Sequence, residues 1–256
     1  MSQNIVDIKN MFSSAVAGGD MSQQAAGIMI NALDDTDLAG CMGTTADEME
    51  TDDVTVVTLI LDKSGSMYPH QVTVRTAYDT LISSLKGSKQ HGSMIVSARC
   101  FATTSTLLYG FKKVGEVEPI GYDYIADGNS TALHETMISS LTDIKAYTQN
   151  LKNQGIRVKC IVVVFSDGED NEAPRKAKDV KIIAEDLLKG EQYYLVYVGY
   201  ATDPSVDLKK VAGQIGFGNV LISQATESEI RKTMGLVSKS IIRASQTQVG
   251  TNSFFS

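Results

Sequence analysis

The sequence lacks any apolar run long enough to cross a membrane, and it has no tryptophan and only four prolines. A membrane-spanning helix needs about 20 consecutive apolar residues. No secretory signal is evident either, because the first twenty residues contain Asp7 and Asp20 and no long apolar core. We therefore expect no membrane partner and a cytoplasmic location.

Cysteine is scarce as well. Cys41, Cys100 and Cys160 form an odd set without the short spacing of metal ligands. A chain of 256 residues buries enough surface to fold without disulfides or a structural metal. The cysteines are therefore predicted to be free thiols in a reducing compartment.

Basic residues are nearly absent from the first part of the chain. Residues 1–53 contain one base, Lys9, and ten acids, so their net charge is −9, whereas the whole chain carries −7 and the remainder +2. Neither part has the basic footprint of a nucleic-acid-binding protein, and no nucleic-acid partner is expected. Apolar residues at helical spacing predict two short helices, over 4–16 and 22–33, with Ser22 as N-cap of the second. They form an acidic leader with its linker, over residues 1–53, which packs on the main domain or docks elsewhere.

From residue 54 onward, apolar strands alternate with amphipathic helices. Strands are predicted over 54–61, 93–101, 106–111, 157–165, 193–200 and 220–222. Helices are predicted over 72–85, 132–151, 174–188, 205–215 and 227–244. This alternation predicts an α/β fold, a doubly wound, mostly parallel six-stranded sheet with helices on both faces. The main domain is expected at 54–244, followed by a loose polar tail at 245–256, in which Phe254 and Phe255 are either disordered or a docking peptide.

A polar loop, Asp62-Lys63-Ser64-Gly65-Ser66, follows the first buried strand directly. Side chains at alternate positions of an extended segment point the same way, so Asp62, Ser64 and Ser66 are expected to converge. A carboxylate and two hydroxyls are hard oxygen ligands that suit Mg²⁺ and leave room for water or an outside ligand. The loop therefore predicts a metal site. The alternative is a turn that merely ends the strand.

Two further polar residues complete a recognisable set. Thr131 lies in a loop before a helix, and Asp167 follows the strand that ends near Phe165. Together with Asp62, Ser64 and Ser66, they resemble the metal-ion-dependent adhesion site (MIDAS) of von Willebrand factor A domains, of the intracellular bacterial and viral type. The resemblance covers residues 54–244, although Asn129 and Ser130 stand where many relatives have paired glycines.

The resemblance implies a role for each of these residues. Ser64 and Ser66 would bind the cation directly, Thr131 directly or through water, and Asp62 and Asp167 mainly through waters and hydrogen bonds. The cation would be Mg²⁺, with Mn²⁺ or Ca²⁺ as substitutes. It would keep much of its charge and bind an Asp or Glu carboxylate of a partner protein, which makes the chain a scaffold or adaptor rather than an enzyme.

The residues around this set are predicted to be ordinary surface. Lys63 and the acids Glu169, Asp170 and Glu172 are expected to be solvated. His70 and His134 are expected to be surface or capping residues. Tyr68 and Tyr122 are either contact residues for a partner or packed side chains. None of these is predicted to bind the cation.

Two alternative functions remain at this point. One is a Mg²⁺-assisted phosphohydrolase with Asp62 as nucleophile, but such enzymes need a carboxylate at position 64, where this chain has serine. The other is self-assembly, in which leader acids (Asp34, Asp35, Asp37 or the cluster over 47–53) complete the metal site of a neighbouring copy.

Overall fold

A computed structural model describes the backbone of residues 3–33, 40–168, 170–171, 176–190, 192–247 and 253–255, with side chains from residue 6 onward. The strands are β1 (Asp53–Asp62), β2 (Met94–Phe101), β3 (Ser105–Lys113), β4 (Arg157–Ser166), β5 (Tyr193–Ala201) and β6 (Asn219–Gln224). The longer helices are α1 (Gln3–Ala17), α2 (Gln23–Asn31), α3 (Gln71–Lys86), α4 (Leu133–Asn153), α5 (Ala177–Lys189), α6 (Leu208–Gln214) and α7 (Glu227–Gln246). Within these described parts, no helix is both long and apolar enough to span a lipid bilayer.

The six strands form one sheet in the order β3-β2-β1-β4-β5-β6. Every neighbouring pair is parallel except β2 and β3, which form an antiparallel hairpin. From the centre of the sheet, the chain adds β2 and β3 on one side of β1 and then β4, β5 and β6 on the other. The boundary between β1 and β4 is therefore the switch point of a doubly wound sheet. The predicted fold class is confirmed.

The central strands are buried because both faces of the sheet are covered. Alternate residues of β1 point to opposite sides, so Val56 and Ile60 join one core whereas Val57 and Leu59 join the other. Helices α1, α2, α4, α5 and α6 cover the first face, and α3 and α7 cover the second. This double burial explains why β1 is a continuous apolar run rather than an alternating one.

The leader packs on the main domain. Phe12 of α1 and Met29 of α2 are fully buried in the same core as the inner faces of α4 and α5. The predicted N-cap is present, because the Ser22 side chain accepts a hydrogen bond from the backbone N–H of Ala25. The Ser22 N–H donates in turn to Asp186 of α5 at 2.9 Å. The leader thus adds a layer to the first face of the sheet.

After the leader helices, the chain runs against the backbone of the edge strand β3. The N–H of Thr44 donates to the carbonyl of Phe111 at 2.8 Å, and the Tyr147 hydroxyl donates to the Thr44 carbonyl at 2.6 Å. A Cβ added at Gly43 would lie 1.6 Å from the Phe111 carbonyl oxygen, and one added at Gly110 would lie 2.3 Å from the Gly40 carbonyl oxygen. Glycine is required at both positions because the two backbones touch.

We expect Gly43→Ala to lower the free energy of unfolding by about 2–3 kcal/mol, because the added methyl group forces the leader away from β3. Urea denaturation measures the change. Gly92→Ala is the matched control, since a Cβ there meets nothing within 4 Å. Equal stability of the two variants would show that the leader does not depend on this backbone contact.

A buried ion pair of the main domain also contacts the leader through Cys41. The Arg99 guanidinium of β2, only 2% exposed, donates to the Asp143 carboxylate of α4 at 2.7 Å. The Cys41 thiol donates to the same carboxylate at 3.2 Å. Burial, and next the charge of Asp143, raise the pKa of the Cys41 thiol, so it stays protonated at neutral pH and remains a donor. All three cysteines are free and buried, as expected for free thiols.

Three sequence predictions need adjustment. Helix α6 begins at Leu208 rather than Ser205, because Asp207 caps it by accepting the N–H of Lys210. Helix α5 begins at Ala177, and its predicted start at Pro174 lies outside the described residues. The tail is not loose throughout, since Phe254 is 1% exposed.

The buried Phe254 is fixed by both its side chain and its backbone. Its ring packs 5.5 Å from that of Tyr194 of β5, and its N–H donates to the side chain of Asn219 of β6. The Arg243 guanidinium of α7 donates to its carbonyl. The buried ring of Phe254 thus holds the end of the tail against the domain, although most residues of the tail are polar.

Candidate metal centre

The predicted site residues lie at the carboxyl ends of two adjacent strands. Asp62 ends β1 and Asp167 directly follows β4, and these strands pair side by side, with Leu61 opposite Phe165. Both carboxylates therefore reach the same edge of the sheet, at the switch point where ligands of such folds bind. The fold thus brings together residues that are more than 100 positions apart in the sequence.

Asp62 is buried, and both of its carboxylate oxygens accept hydrogen bonds. The Ser64 N–H donates to Oδ1 at 2.9 Å, and the Ser166 hydroxyl donates to Oδ2 at 2.6 Å. Burial, and next the negative charge of Asp167, raise the pKa of Asp62 from 3.8 to about 6. This concentration of unscreened negative charge is a physical reason for a cation to bind nearby.

Ser64, Ser66 and Asp167 form a continuous chain of hydrogen bonds. The Ser66 hydroxyl donates to Asp167 Oδ1 at 3.1 Å and lies 3.1 Å from the Ser64 hydroxyl. The other oxygen of Asp167 accepts the Thr202 hydroxyl, just beyond β5, at 2.7 Å. Ser66 is exposed, whereas Ser64 and Asp167 are buried. The cluster thus opens to solvent on the side of Ser66.

Thr131 lies in a loop that is tied to the neighbouring loops through its backbone. Its N–H donates to the side chain of Asn171 at 2.6 Å, and its carbonyl accepts the Asn171 N–H. In the same loop, the Gly128 carbonyl accepts the Gly65 N–H at 2.7 Å. The Thr131 side chain forms no hydrogen bond with the other four predicted residues, so the network connects four of the five.

Glycine is needed at position 128 of this loop. A Cβ there would lie 2.0 Å from the Cβ of Ala102, which follows β2. The neighbouring Ala132 N–H donates to the Ala102 carbonyl at 2.7 Å. Gly128 therefore allows this loop to lie directly against Ala102. The next two residues are Asn129 and Ser130, at the positions where many von Willebrand factor A domains have paired glycines.

The prediction that Asp170 is solvated is wrong, and His134, predicted to be a surface or capping residue, does not lie at the surface. Both are buried, and Asp170 Oδ2 accepts the backbone N–H of His134 at 2.6 Å, with the His134 ring nitrogen Nδ1 at 3.3 Å. A carboxylate is favourable at this position because the N–H groups in the first turn of a helix lack partners within the helix and carry the positive end of its dipole. Glu169 and Glu172 lie outside the described residues.

Three supporting residues were not predicted. Ser166 and Thr202 orient the two carboxylates, and the Tyr124 hydroxyl donates to the Asp62 carbonyl at 2.6 Å. Ser166 and Thr202 each end or follow a predicted strand, as Asp62 and Asp167 do, and this common position is the signal that would have found them.

The rim of the site carries exposed aromatic side chains. Tyr68 is 61% exposed and Tyr122 is 83% exposed. The Arg75 guanidinium lies 5.0 Å from the centre of the Tyr122 ring, and its Nε donates to the Tyr124 carbonyl. Tyr68 and Tyr122 were expected to be either contact residues for a partner or packed side chains. Their exposure favours a role as contact residues.

The donors at the site fit a hard divalent cation. Across the part of the chain that is described, no three His, Cys, Asp or Glu side chains form a metal-binding cluster. The predicted site uses hydroxyls together with two carboxylates, so it is of another kind. Neighbouring ligands of an octahedral Mg²⁺ lie about 2.9 Å apart, given metal–oxygen distances near 2.1 Å. The hydroxyl oxygens of Ser64 and Ser66, the two residues expected to bind the cation directly, lie 3.1 Å apart, which is close to this value.

Several solved structures share this architecture. The pilus adhesin SpaC of Lactobacillus rhamnosus GG in its open conformation has a TM-score of 0.57 and 11% identity over 76% of this chain and 31% of its own. A D319A mutant of the PilB minor pilin of Streptococcus sanguinis has a TM-score of 0.54 and 14% identity over 76% and 63%. Proximal thread matrix protein 1 of the mussel byssus, with a zinc-occupied MIDAS motif, has a TM-score of 0.52 and 14% identity over 74% and 46%.

These similarities concern the fold. No protein-family model matches the sequence, and no curated protein matches it. The chain spans between about a third and under two thirds of the length of the structures named above. Strand order and neighbours together show a von Willebrand factor A-like, Rossmann-like α/β fold.

Proposed function

We propose that the chain is a protein-interaction module of the MIDAS type, which holds Mg²⁺ and binds an Asp or Glu carboxylate of a partner protein. The observation that carries this proposal is the hydrogen-bonded chain of Ser64, Ser66 and Asp167, open to solvent at Ser66. A bound Mg²⁺ supplies a positive charge with an open coordination position. Mn²⁺ or Ca²⁺ are substitutes, and the zinc-occupied motif of the mussel protein supports a divalent cation in general.

The side chains at the site have separable roles. Ser64 and Ser66 are neutral ligands, so a cation bound to them keeps most of its charge for an anionic partner. Asp62 and Asp167 hold the serines in place and balance part of that charge. Thr131 lies on a separate loop, which is joined to the serine loop by the hydrogen bond from the Gly65 N–H to the Gly128 carbonyl. The exposed Tyr68 and Tyr122 offer apolar area around the carboxylate, which is typical of contact residues in protein interfaces.

We further propose that this site does not perform catalysis. Both oxygens of Asp62 already accept hydrogen bonds, from Ser64 and Ser166, and this restraint disfavours its use as a nucleophile. Serine at position 64 supplies no second carboxylate.

The free, buried cysteines agree with a cytoplasmic location, which we propose on that basis.

A different protein is proposed as the partner ahead of a second copy of this chain. Of the five acids over 47–53, Glu48 accepts hydrogen bonds from Thr45 and Asp53 forms an ion pair with Arg157, so two of the five already have partners within the chain. The acids at 34, 35 and 37 lie outside the described residues. Light-scattering mass with Mg²⁺ and with EDTA distinguishes the two cases, and a Mg²⁺-dependent oligomer would support self-assembly instead.

The metal is tested by titration with Mn²⁺, followed by electron paramagnetic resonance. We expect one site per chain and at least about a tenfold loss of affinity in Ser66→Ala, which removes one ligand and the hydrogen bond to Asp167. Ser84→Ala is the matched control, because Ser84 is an exposed serine of α3 that bonds to the Thr80 carbonyl within its own helix. Equal affinity of both variants would place the metal elsewhere.

The carboxylate is tested by selecting random displayed peptides in Mg²⁺ and eluting them with EDTA. Peptides recovered on the wild-type protein should be enriched in Asp or Glu, whereas Asp62→Ala should recover none above background. Elution of peptides without acidic enrichment would contradict carboxylate binding while leaving the metal site intact.

A further inference from the structure

A cavity of about 560 Å³ lies far from the metal centre, between the leader and the main domain. Its walls come from the turn between α1 and α2, from the second half of α4, from the end of α5 and from the start of β5. The strand β5 starts at the opposite edge of the sheet from Asp62 and Asp167. A volume of this size lies within the range of small-molecule sites.

The charged side chains that line the cavity are three lysines and two aspartates. Lys145 and Lys152 on α4 and Lys189 on α5 line it, together with two carboxylates. One of these carboxylates, Asp186, already accepts the Ser22 N–H at 2.9 Å and lies 3.5 Å from Lys189. The other, Asp20, is exposed at the leader turn.

Lys145 and Lys152 bond to neutral amides rather than to acids. Lys145, 5% exposed, donates to the Gln149 side chain at 3.1 Å, and Lys152 donates to the Gln192 side chain. Within the described residues, neither lysine forms an ion pair. Burial, followed by the charge of Lys152, lowers the pKa of Lys145. Two ammonium groups that repel each other in a partly buried space are stabilised by an anion between them.

We propose that this cavity binds a small phosphate-bearing molecule, with Lys145 and Lys152 contacting the phosphate. A phosphate dianion balances two ammonium groups, and lysine binds phosphate as a point charge without requiring a fixed geometry. The Gln192 amide, whose oxygen accepts from Lys152, offers N–H donors to the same phosphate oxygens, whereas the Gln149 amide already donates to the Asn153 side chain at 3.1 Å. Because the leader forms one wall, the bound molecule also fastens the leader to the domain.

The probe is pyrophosphate, titrated by calorimetry in EDTA at constant ionic strength, so that the metal centre takes no part. We expect saturable binding of one pyrophosphate per chain, and at least about a tenfold weaker affinity in Lys145→Gln and in Lys152→Gln. Lys178→Gln is the matched control, since Lys178 is exposed on α5 outside the cavity, and its affinity should stay within about twofold of the wild type.

Thermal unfolding separates binding from a purely structural role. Without pyrophosphate, Lys145→Gln should raise the Tm by about 2–4 °C, because it removes a buried charge and keeps a partner for Gln149. With pyrophosphate near the wild-type Kd, the Tm of the wild type should rise and that of Lys145→Gln should rise much less. Absence of saturable binding up to about 10 mM, or equal affinity in all variants, would overturn the proposal and leave the proposed function at the metal centre untouched.

Discussion

Replacing Asp143 with alanine should lower the free energy of unfolding by about 3–5 kcal/mol, because it removes the carboxylate that pairs with the buried Arg99. The same change removes the acceptor of the Cys41 thiol in the leader. Loss of the carboxylate therefore weakens the sheet, α4 and the leader together. Denaturation by urea, followed by circular dichroism, measures the change.

The exposed pair of Asp53 and Arg157 is the matched control, because its guanidinium and carboxylate lie at a similar distance, 2.6 Å, but in water. Asp53→Ala should change stability little, since exposed ion pairs are screened. Arg99→Met combined with Asp143→Leu should recover much of the loss, because an apolar pair leaves no buried charge. A double variant as unstable as Asp143→Ala would show that the ion pair has a role that apolar packing does not replace.

Replacing Asp62 with asparagine should stabilise the protein in EDTA and weaken Mg²⁺ binding by about 10- to 100-fold. Asparagine keeps both hydrogen bonds, with its oxygen accepting the Ser64 N–H and its amide donating to the Ser166 hydroxyl. It also removes the charge that burial disfavours. The gain is up to about 3 kcal/mol above pH 7, which corresponds to the rise of the Asp62 pKa from 3.8 to about 6.

The pH dependence follows from the direction of that shift. The folded protein binds the Asp62 proton more tightly than the unfolded chain does, so stability from this group is greatest below about pH 4. This contribution of Asp62 to the free energy of unfolding decreases as the pH rises from about 4 to about 6. Above about pH 6 it no longer changes with pH. In EDTA, the difference between Asp62→Asn and wild type should therefore grow between about pH 4 and 6.

Mg²⁺ narrows the stability difference between the two proteins. A cation that binds the folded state stabilises it according to its concentration and affinity, so a 10- to 100-fold higher affinity gives the wild type up to about 1.4–2.7 kcal/mol more than the variant. The contrast is measured by urea denaturation in EDTA and in about 10 mM Mg²⁺. A variant less stable than wild type in EDTA would show that the Asp62 charge is compensated in the folded protein.

The sheet and most of the site could be predicted because both depend on local patterns. Buried strands such as β1 and β4 are continuous apolar runs, and the residue that ends each of them lies at one edge of a parallel sheet. This rule placed Asp62 and Asp167 together without any knowledge of tertiary contacts.

The remaining features depend on partners that are distant in sequence. The sequence around Arg99 and around Asp143 does not indicate that the two residues form an ion pair. The sequence around Asp170 is as acidic and polar as that of a solvated turn, so it does not indicate burial. Phe254 follows a polar segment, and its burial depends on contacts with Tyr194, Asn219 and Arg243. Polar composition predicts exposure on average, but a single specific contact reverses it.

The contact of Gly43 and Thr44 with β3 has a consequence for the behaviour of the protein at high concentration. An edge strand presents unpaired backbone groups that another strand can join, and such joining leads to aggregation. Here the Phe111 carbonyl on β3 is already bonded to the Thr44 N–H, and the leader backbone lies directly against that strand. The leader thus shields the outer edge of the sheet from intermolecular β-pairing, a role that is independent of whatever binds at the metal centre.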